Sequence, residues 1–197
     1  DISGHSTVGE MVDTVRNCSI QAIEDTLRLL DPQVVQDVAA RIIRADSVKL
    51  FGVGASALVA ADLYDKLLRI GLNVVHSRDF HIQLTYAANL TPRDVAVFFS
   101  HSGCTREVVE TMRIAQSCGA TLVSVTRFGK HPLVAMADYA LYISCPEVYR
   151  RSGAMSSRIA QLTLVDVLYT AVANMDYHRV KMRLENSYNS CKTHRLS

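Results

Sequence analysis

Nine glycines and four prolines among 197 residues are too few for a collagen-like or low-complexity chain. No apolar run approaches the roughly 18 residues of a membrane-spanning helix. The polar opening DISGHSTVGE has neither the basic segment nor the apolar stretch of a secretory signal. It also does not start with Met, as expected of a piece of a longer protein. The cysteines, Cys18, Cys104, Cys118, Cys145 and Cys191, are odd in number and show no C-x-x-C spacing. Neither a disulfide framework nor a zinc site is expected, and a reducing cytoplasm is the simple reading. The seven histidines form no H-x-x-x-H or H-x-x-E-H pattern, so no metal is assigned.

What is present is ordinary for a globular domain: 49% apolar and 20% charged residues. That much apolar surface can offset chain ordering, so disorder is excluded. The net charge of +2 is uneven. From His178 to Ser197, Arg179, Lys181, Arg183, Lys192 and Arg195 stand against Glu185 alone, which leaves the rest of the chain slightly acidic. The body is therefore not a nucleic-acid surface by charge. The basic end reads as a solvated or frayed tail, with phosphate contact as the alternative.

From Thr7 the pattern is helical: Val8, Met11, Val12, Val15, then Ala22, Ile23, Leu27 and Leu30. Asp31-Pro32 reads as an N-cap followed by a first-turn proline. A second helix to about Ala45 would bury Val34, Val35, Val38 and Ile42. Short apolar runs then alternate with amphipathic stretches. The runs are Val48–Val53, Leu72–Val75, Val95–Phe99, Leu122–Val125 and Ala140–Ile143; Ala57–Ile70, Phe80–Asn89, Glu107–Cys118 and Pro132–Ala137 lie between them. A last helix spans about Ser156 to Asn174, with Ile159, Leu162, Val165, Leu168 and Tyr169 on its stripe. Continuous apolar strands alternating with helices imply an α/β domain whose parallel sheet is covered on both faces. No internal repeat or linker-like stretch interrupts it.

Ligands of such sheets bind at the strands' carboxyl ends, where strand order reverses. Two loops there are unusual: Gly52-Val53-Gly54-Ala55-Ser56 after the first strand and Ser100-His101-Ser102-Gly103-Cys104-Thr105 after the third. In a 2-1-3-4-5 sheet they face each other across one crevice. The second loop offers three hydroxyls around a glycine and opens a helix, whose free N–H groups favour an anion. The alternative is that Ser and Thr merely cap the helix. A P-loop lysine is missing, which argues against a nucleoside triphosphate.

Gly52, Gly54 and Ala57 also satisfy the dinucleotide pattern G-x-G-x-x-[GA]. That reading needs an acid closing the second strand, but the segment runs Val75-His76-Ser77-Arg78, with Asp79 late. Cys145 followed by Arg151-Ser152 matches C-x5-R-S. A phosphatase loop needs successive N–H donors, and Pro146 has none. Cys104, near a helix start, is either a thiol of lowered pKa or a passive lining residue.

GVGAS, SHSGCT and the segment RSGAMSSRIAQL at 151–162 together resemble the sugar isomerase (SIS) domain. With Asp79-Phe80-His81-Ile82-Gln83 they are most similar to the effector domain of RpiR-type bacterial transcriptional regulators. The resemblance covers about Pro32 to Ala173, and the leading helix also fits. It implies a three-layer flavodoxin-like fold with a five-stranded parallel sheet, preceded by two helices. It also implies a phosphorylated sugar as ligand. Ser100, Ser102 and Thr105 fall on the family's phosphate-binding hydroxyls, and Ser56 on the serine that joins them. His81 falls on a sugar-contacting histidine and Arg158 on a basic residue near the ligand. Arg158 also reads as a surface charge, and Ser156 and Ser157 as caps of the last helix.

Many SIS proteins are isomerases, and aldose–ketose isomerisation needs a base, usually a carboxylate. Where those enzymes resemble one another in G-T-x-F-E, this chain has Gly153-Ala154-Met155-Ser156-Ser157. A serine stands in place of the glutamate; Glu107 and Glu147 remain as alternatives, Glu107 more simply as a helix-dipole residue. The expected organisation is a tail and leading helix over 1–31, the SIS domain over 32–177 and a basic tail over 178–197. The expected function is a non-catalytic phosphosugar sensor that needs no cofactor and touches no membrane. DNA is read by a helix-turn-helix domain outside this chain; a phosphosugar isomerase or lyase is the alternative. Self-association through the first and last helices is expected, because operators of such regulators are commonly two-fold.

Overall fold

In the computed structural model, which describes residues 6–145 and 154–192, helices start where the sequence supplies caps. Helix α1 (Val8–Leu29) opens on a reciprocal pair: the Thr7 N–H donates to Glu10 Oε2 at 2.7 Å, and the Glu10 N–H donates to Thr7 Oγ1 at 3.3 Å. Helix α2 (Pro32–Arg44) starts with Asp31 accepting from the Gln33 N–H at 2.8 Å and Pro32 in the first turn, as the Asp-Pro pair predicts. It buries Val35, Val38, Ala39 and Ile42, while Val34 is half-buried.

Strands β1 (Val48–Gly52), β2 (Val74–His76), β3 (Val95–Phe99), β4 (Thr121–Arg127) and β5 (Tyr139–Ile143) form one parallel sheet in the order β2-β1-β3-β4-β5. The intervening helices are α3 (Ala55–Arg69), α4 (Phe80–Ala88), α5 (Arg106–Ser117) and α6 (Pro132–Met136), followed by α7 (Met155–Met175) and α8 (Tyr177–Lys192). Every residue of β3 is buried, and the reason is the two-sided cover. Val95, Val97 and Phe99 face a core shared with α2, α3 and α7, whereas Ala96 and Phe98 face α4, α5 and α6. Phe51 stacks on Phe98 on that second side, with ring centroids 4.6 Å apart. The three-layer, five-stranded parallel architecture is the expected one. Strand order reverses between β1 and β3, where Gly52 stands opposite Phe99.

Four details depart from expectation. Strand β2 begins two residues late, because the Leu72 N–H still closes the end of α3 on Leu67 O at 3.2 Å. In α1, residues 7–17 are all exposed, and only Ala22 and Thr26 are buried. The buried face of α7 is Ser157, Ala160, Gln161, Leu164, Val165, Leu168 and Val172, so the expected Ile159, Leu162 and Tyr169 are only half-buried. That helix is apolar nearly all round, and periodicity alone does not choose its inner face. Finally, residues 178–192 of the expected basic tail are helical, within α8, rather than frayed. The Ser187 hydroxyl donates to Arg69 O at 3.2 Å, Val180 is buried, and the Arg183 guanidinium lies over Gly71 just past α3. Cationic and hydroxyl groups thus meet the electronegative carboxyl end of α3. Arg195 lies outside the described residues.

Candidate functional site

The β1 and β3 loops leave neighbouring strands at the carboxyl edge of the sheet. After β3 the chain turns tightly: the Gly103 N–H donates to Ser100 O at 3.2 Å, and Gly103 has φ +65°. A side chain there would run into the His131 ring. The turn folds three hydroxyls together. Ser100 Oγ and Thr105 Oγ1 share a hydrogen bond at 3.0 Å, Ser102 Oγ lies 3.5 Å from Thr105 Oγ1, and Ser102 Oγ accepts from the Cys104 N–H at 3.3 Å.

Capping does not account for these groups. Thr105 is the N-cap residue of α5, yet no side chain caps that helix. The same holds for α3, entered through Gly54, and α7, entered through Ala154. By contrast, side chains of Thr7, Asp31 and Asp79 cap α1, α2 and α4. Ser156 and Ser157 therefore do not cap α7. Helix α5, which starts from the second loop, is left with first-turn N–H groups free among the described residues and a positive dipole end, a suitable environment for an anion, whereas in α3 the Ser56 and Ala57 N–H groups already donate to Val53 O and Gly54 O, both at 3.2 Å.

Ser56 sits half-buried in the first turn of α3. A Cβ at Gly52 would lie 3.0 Å from the Ser56 carbonyl oxygen, so this bend packs backbone directly on backbone. Across from it, α7 brings Gln161, whose Oε1 lies 3.4 Å from Ser56 Oγ. Lys66 ties the same two helices, with Asp62 on one side and Asp166 Oδ1 at 3.1 Å on the other. Partial burial opposes its charge, but the two carboxylates outweigh it and hold its pKa above the ordinary value.

Arg158 is half-buried in the first turn of α7; its N–H donates to Ala154 O at 3.1 Å, and its side chain makes no hydrogen bond or ion pair among the described residues. His81 is exposed in the first turn of α4, its ring 6.1 Å from that of Phe80. The structure thus joins Ser100, Ser102 and Thr105 in one hydrogen-bonded group. It sets Ser56 in the first turn of α3, which follows the neighbouring strand β1, and leaves the His81 and Arg158 side chains without polar partners among the described residues.

Three residues with roles here carried no assignment from the sequence. Gln83, buried in α4, donates to Gly52 O and Ser77 O, both at 3.0 Å, and accepts from the Gly52 N–H at 3.2 Å. Strand β2 has ended by then, and this amide takes its place along the edge of β1. His131 supports the β3 loop from behind, its Nε2 3.1 Å from Arg127 O and 3.3 Å from Thr126 Oγ1. Gln161 is buried, and its Nε2 has no hydrogen-bond partner among the described residues. Gln83 lies within the D-F-H-I-Q segment and Gln161 within RSGAMSSRIAQL, but neither amide has a role legible from those segments, and His131 belongs to no motif.

The rival sites fare differently. Asp79, the acid a dinucleotide would need, accepts from the Ile82 N–H at 3.0 Å as the cap of α4. Glu107 is exposed in the first turn of α5. Cys104 is exposed too, and Cys145 Sγ lies 3.2 Å from His101 Nε2. Pro146, Glu147, Arg151 and Ser152 lie outside the described residues. Among the described residues, no group of three or more His, Cys, Asp or Glu side chains is placed to hold a metal, and no helix is long and apolar enough to cross a membrane.

Comparison with known proteins agrees with the geometry. The family model for the SIS domain matches residues 41–171. An HTH-type transcriptional regulator of Caldanaerobacter subterraneus is 39% identical over 186 residues, covering 94% of this chain and 66% of its own length. The HTH-type regulator YbbH of Bacillus subtilis is 35% identical over 178 residues, covering 90% of this chain and 63% of its own. This chain thus spans between 51% and 66% of the length of such curated relatives. Among solved structures, the Vibrio vulnificus NanR protein complexed with ManNAc-6P superposes with a TM-score of 0.89 at 26% identity, over 96% of this chain and 72% of that one. The sugar isomerase domain of an RpiR transcription factor from Sphaerobacter thermophilus shares the fold, with a TM-score of 0.80 at 22% identity over 91% of this chain and 99% of that one.

Proposed function

The chain belongs to the SIS domain family, and from that premise we propose that it is the effector-sensing part of a helix-turn-helix transcriptional regulator that binds a phosphorylated sugar. One observation carries the reading. Ser100, Ser102 and Thr105 are gathered at the start of α5, and no side chain caps that helix. Hydroxyl donors and free helix N–H groups are what a phosphate dianion requires. In this reading Ser56 completes the phosphate shell from the β1 loop, His81 meets the sugar, and Arg158 supplies the positive charge. The similarity to helix-turn-helix regulators and to NanR, solved with ManNAc-6P, supports it.

The sensor is non-catalytic in this reading, since Ser157 replaces the glutamate of SIS isomerases and Glu107 is solvent-exposed in its helix. The sensing domain spans 32–177 and works in the cytoplasm, with DNA contact made by a domain outside this chain. A thermal-shift panel of sugar phosphates tests the proposal. A ligand at one hundred times its dissociation constant adds about 2.7 kcal/mol of stability. Stabilisation by NAD or NADP alone favours the dinucleotide reading. Exchange of the C1 or C2 hydrogen of a sugar phosphate in deuterated water, catalysed by the protein, favours the isomerase.

A further inference from the structure

The inner face of α7 is apolar from Leu164 to Val172 but polar at its start, where Ser157 and Gln161 turn inward. Gln161 is 2% exposed. Among the described residues its Oε1 receives only a long contact from Ser56 Oγ, 3.4 Å, well beyond the usual separation of an O–H···O bond. Its Nε2 carries two N–H donors, is buried, and has no partner among the described residues. A buried amide with idle donors weakens a fold unless some state of the protein uses them.

Ser56 supplies that state. Its hydroxyl has one hydrogen to give, and in the present arrangement that hydrogen points to Gln161 Oε1. If the hydrogen is to go to a phosphate oxygen, Oε1 loses its donor and two acceptors face each other. A half-turn of the terminal amide resolves the conflict, since this torsion is broad and nearly two-fold. Nε2 then donates to Ser56 Oγ, and the Ser56 O–H is free for the ligand.

We infer that Gln161 is a positioning residue of the ligand site, whose amide donors engage Ser56 in the bound state and turn the Ser56 hydroxyl toward the phosphate. The inference rests on the reading of the site as a phosphosugar pocket. It names a residue on α7, 105 positions from its partner, as part of the phosphate shell. The α7 helix is thereby coupled to ligand occupancy through one side chain.

The test is a double-mutant cycle with Ser56→Ala and Gln161→Met. Affinities are read by calorimetry for glucose 6-phosphate, N-acetylmannosamine 6-phosphate and inorganic phosphate, together with urea midpoints. Gln161→Met should weaken the best-bound sugar phosphate about tenfold while the midpoint holds or rises. In the Ser56→Ala background the same change should have no further effect. If Gln161→Met does not fold, Gln161→Glu replaces it in the cycle: it keeps an acceptor for Ser56 but removes the donor, and its effect through Ser56 should likewise disappear with Ser56→Ala. Equal weakening in both backgrounds, or native affinity in Gln161→Met, overturns the inference while leaving the phosphosugar reading intact. Failure of the native protein to bind any of the probes overturns both.

Discussion

The Ser102 hydroxyl accepts from the exposed Cys104 N–H at 3.3 Å and lies 3.5 Å from Thr105 Oγ1, so removing it costs the fold little. Ser102→Ala should lower stability by no more than about 1 kcal/mol. As a donor to a charged phosphate the same hydroxyl is worth about 1.5–3 kcal/mol, so sugar-phosphate affinity should fall by roughly ten- to a hundredfold in calorimetry. Native affinity with a large drop in melting temperature would mean that the loop's hydroxyls are only scaffolding. Gly103 carries the opposite balance. Its φ of +65° and its contact with His131 leave no room for a side chain. Gly103→Ala should destabilise by about 1–3 kcal/mol and lose binding as well. His131→Ala in the same protein should recover part of the stability, since it removes the clash but not the strain; no recovery in a urea titration would place the cost wholly in the backbone. His76 gives a pH signature. Burial, reinforced by Arg78, holds its pKa below the ordinary 6.5 despite the Leu50 carbonyl and Asp65. Its Nε2 is buried with no partner among the described residues, so protonation there is disfavoured. The unfolded chain therefore binds this proton more readily, and the contribution is complete above pH 6.5 and lost as pH falls toward the folded-state value. Urea midpoints between pH 7.5 and 5 should fall less steeply for His76→Phe than for the native protein; parallel curves would show that other groups set the slope.

At the scale of elements, helix α1 is held to the domain at one buried polar point. The Thr26 hydroxyl donates to Ser144 O at 3.0 Å and accepts from the Ser144 N–H at 3.1 Å, which pins α1 beyond the end of β5. Thr26→Val keeps the shape and strands both backbone groups, a cost of about 1–3 kcal/mol. Hydrogen exchange should quicken along α1 while the β3 amides stay protected; unchanged α1 amides would mean that the contact with α7 suffices. Such elements differ in how far the sequence discloses them. Strand β3 reads clearly because two-sided burial leaves an unbroken apolar run, β1, β4 and β5 read nearly as well with Lys49 and Ser124 as the interruptions of the first two, and α2 reads clearly because Asp31 and Pro32 mark its start. Helix α8 is obscured by its own composition: its charged and polar residues resemble a tail, while Val180 and the Arg183 and Ser187 contacts with the end of α3 dock it. Loop hydroxyls close in sequence disclosed the Ser100–Thr105 turn. Gln83 and Gln161 lie in segments that carry the family resemblance, but their roles are not legible there, because their partners lie 31 and 105 residues away and a single amide within a helix leaves no periodic trace.

For the molecule as a whole, the amino-terminal half of α1 is the feature a single chain leaves unexplained. Val8, Met11, Val15, Cys18 and Ala22 follow three- and four-residue steps, the spacing of a helix-pairing seam. Ala22 ends that seam in the core, whereas Val8 is 75% exposed and residues 7–17 are all exposed. A helix this long whose first half buries no residue among those described is marginal in water, and the capping box at Thr7 does not replace a packed face. We therefore expect two chains to pair through α1, each covering the other's seam in an isologous contact. A two-fold dimer also matches the symmetry with which helix-turn-helix proteins read operators. Light scattering at concentrations on the order of tens of micromolar should report a dimer. Replacing Met11 and Val15 together with Glu puts like charges along the seam and should yield monomers whose helices α2–α7 and sheet are intact. Because the hydroxyl cradle and Ser56 belong to one chain, these monomers should bind sugar phosphate with close to native affinity. A native protein that is monomeric, or a doubly substituted protein that remains dimeric, would show that α1 is not the seam. Monomers that fold but no longer bind would show instead that the partner chain completes the ligand site.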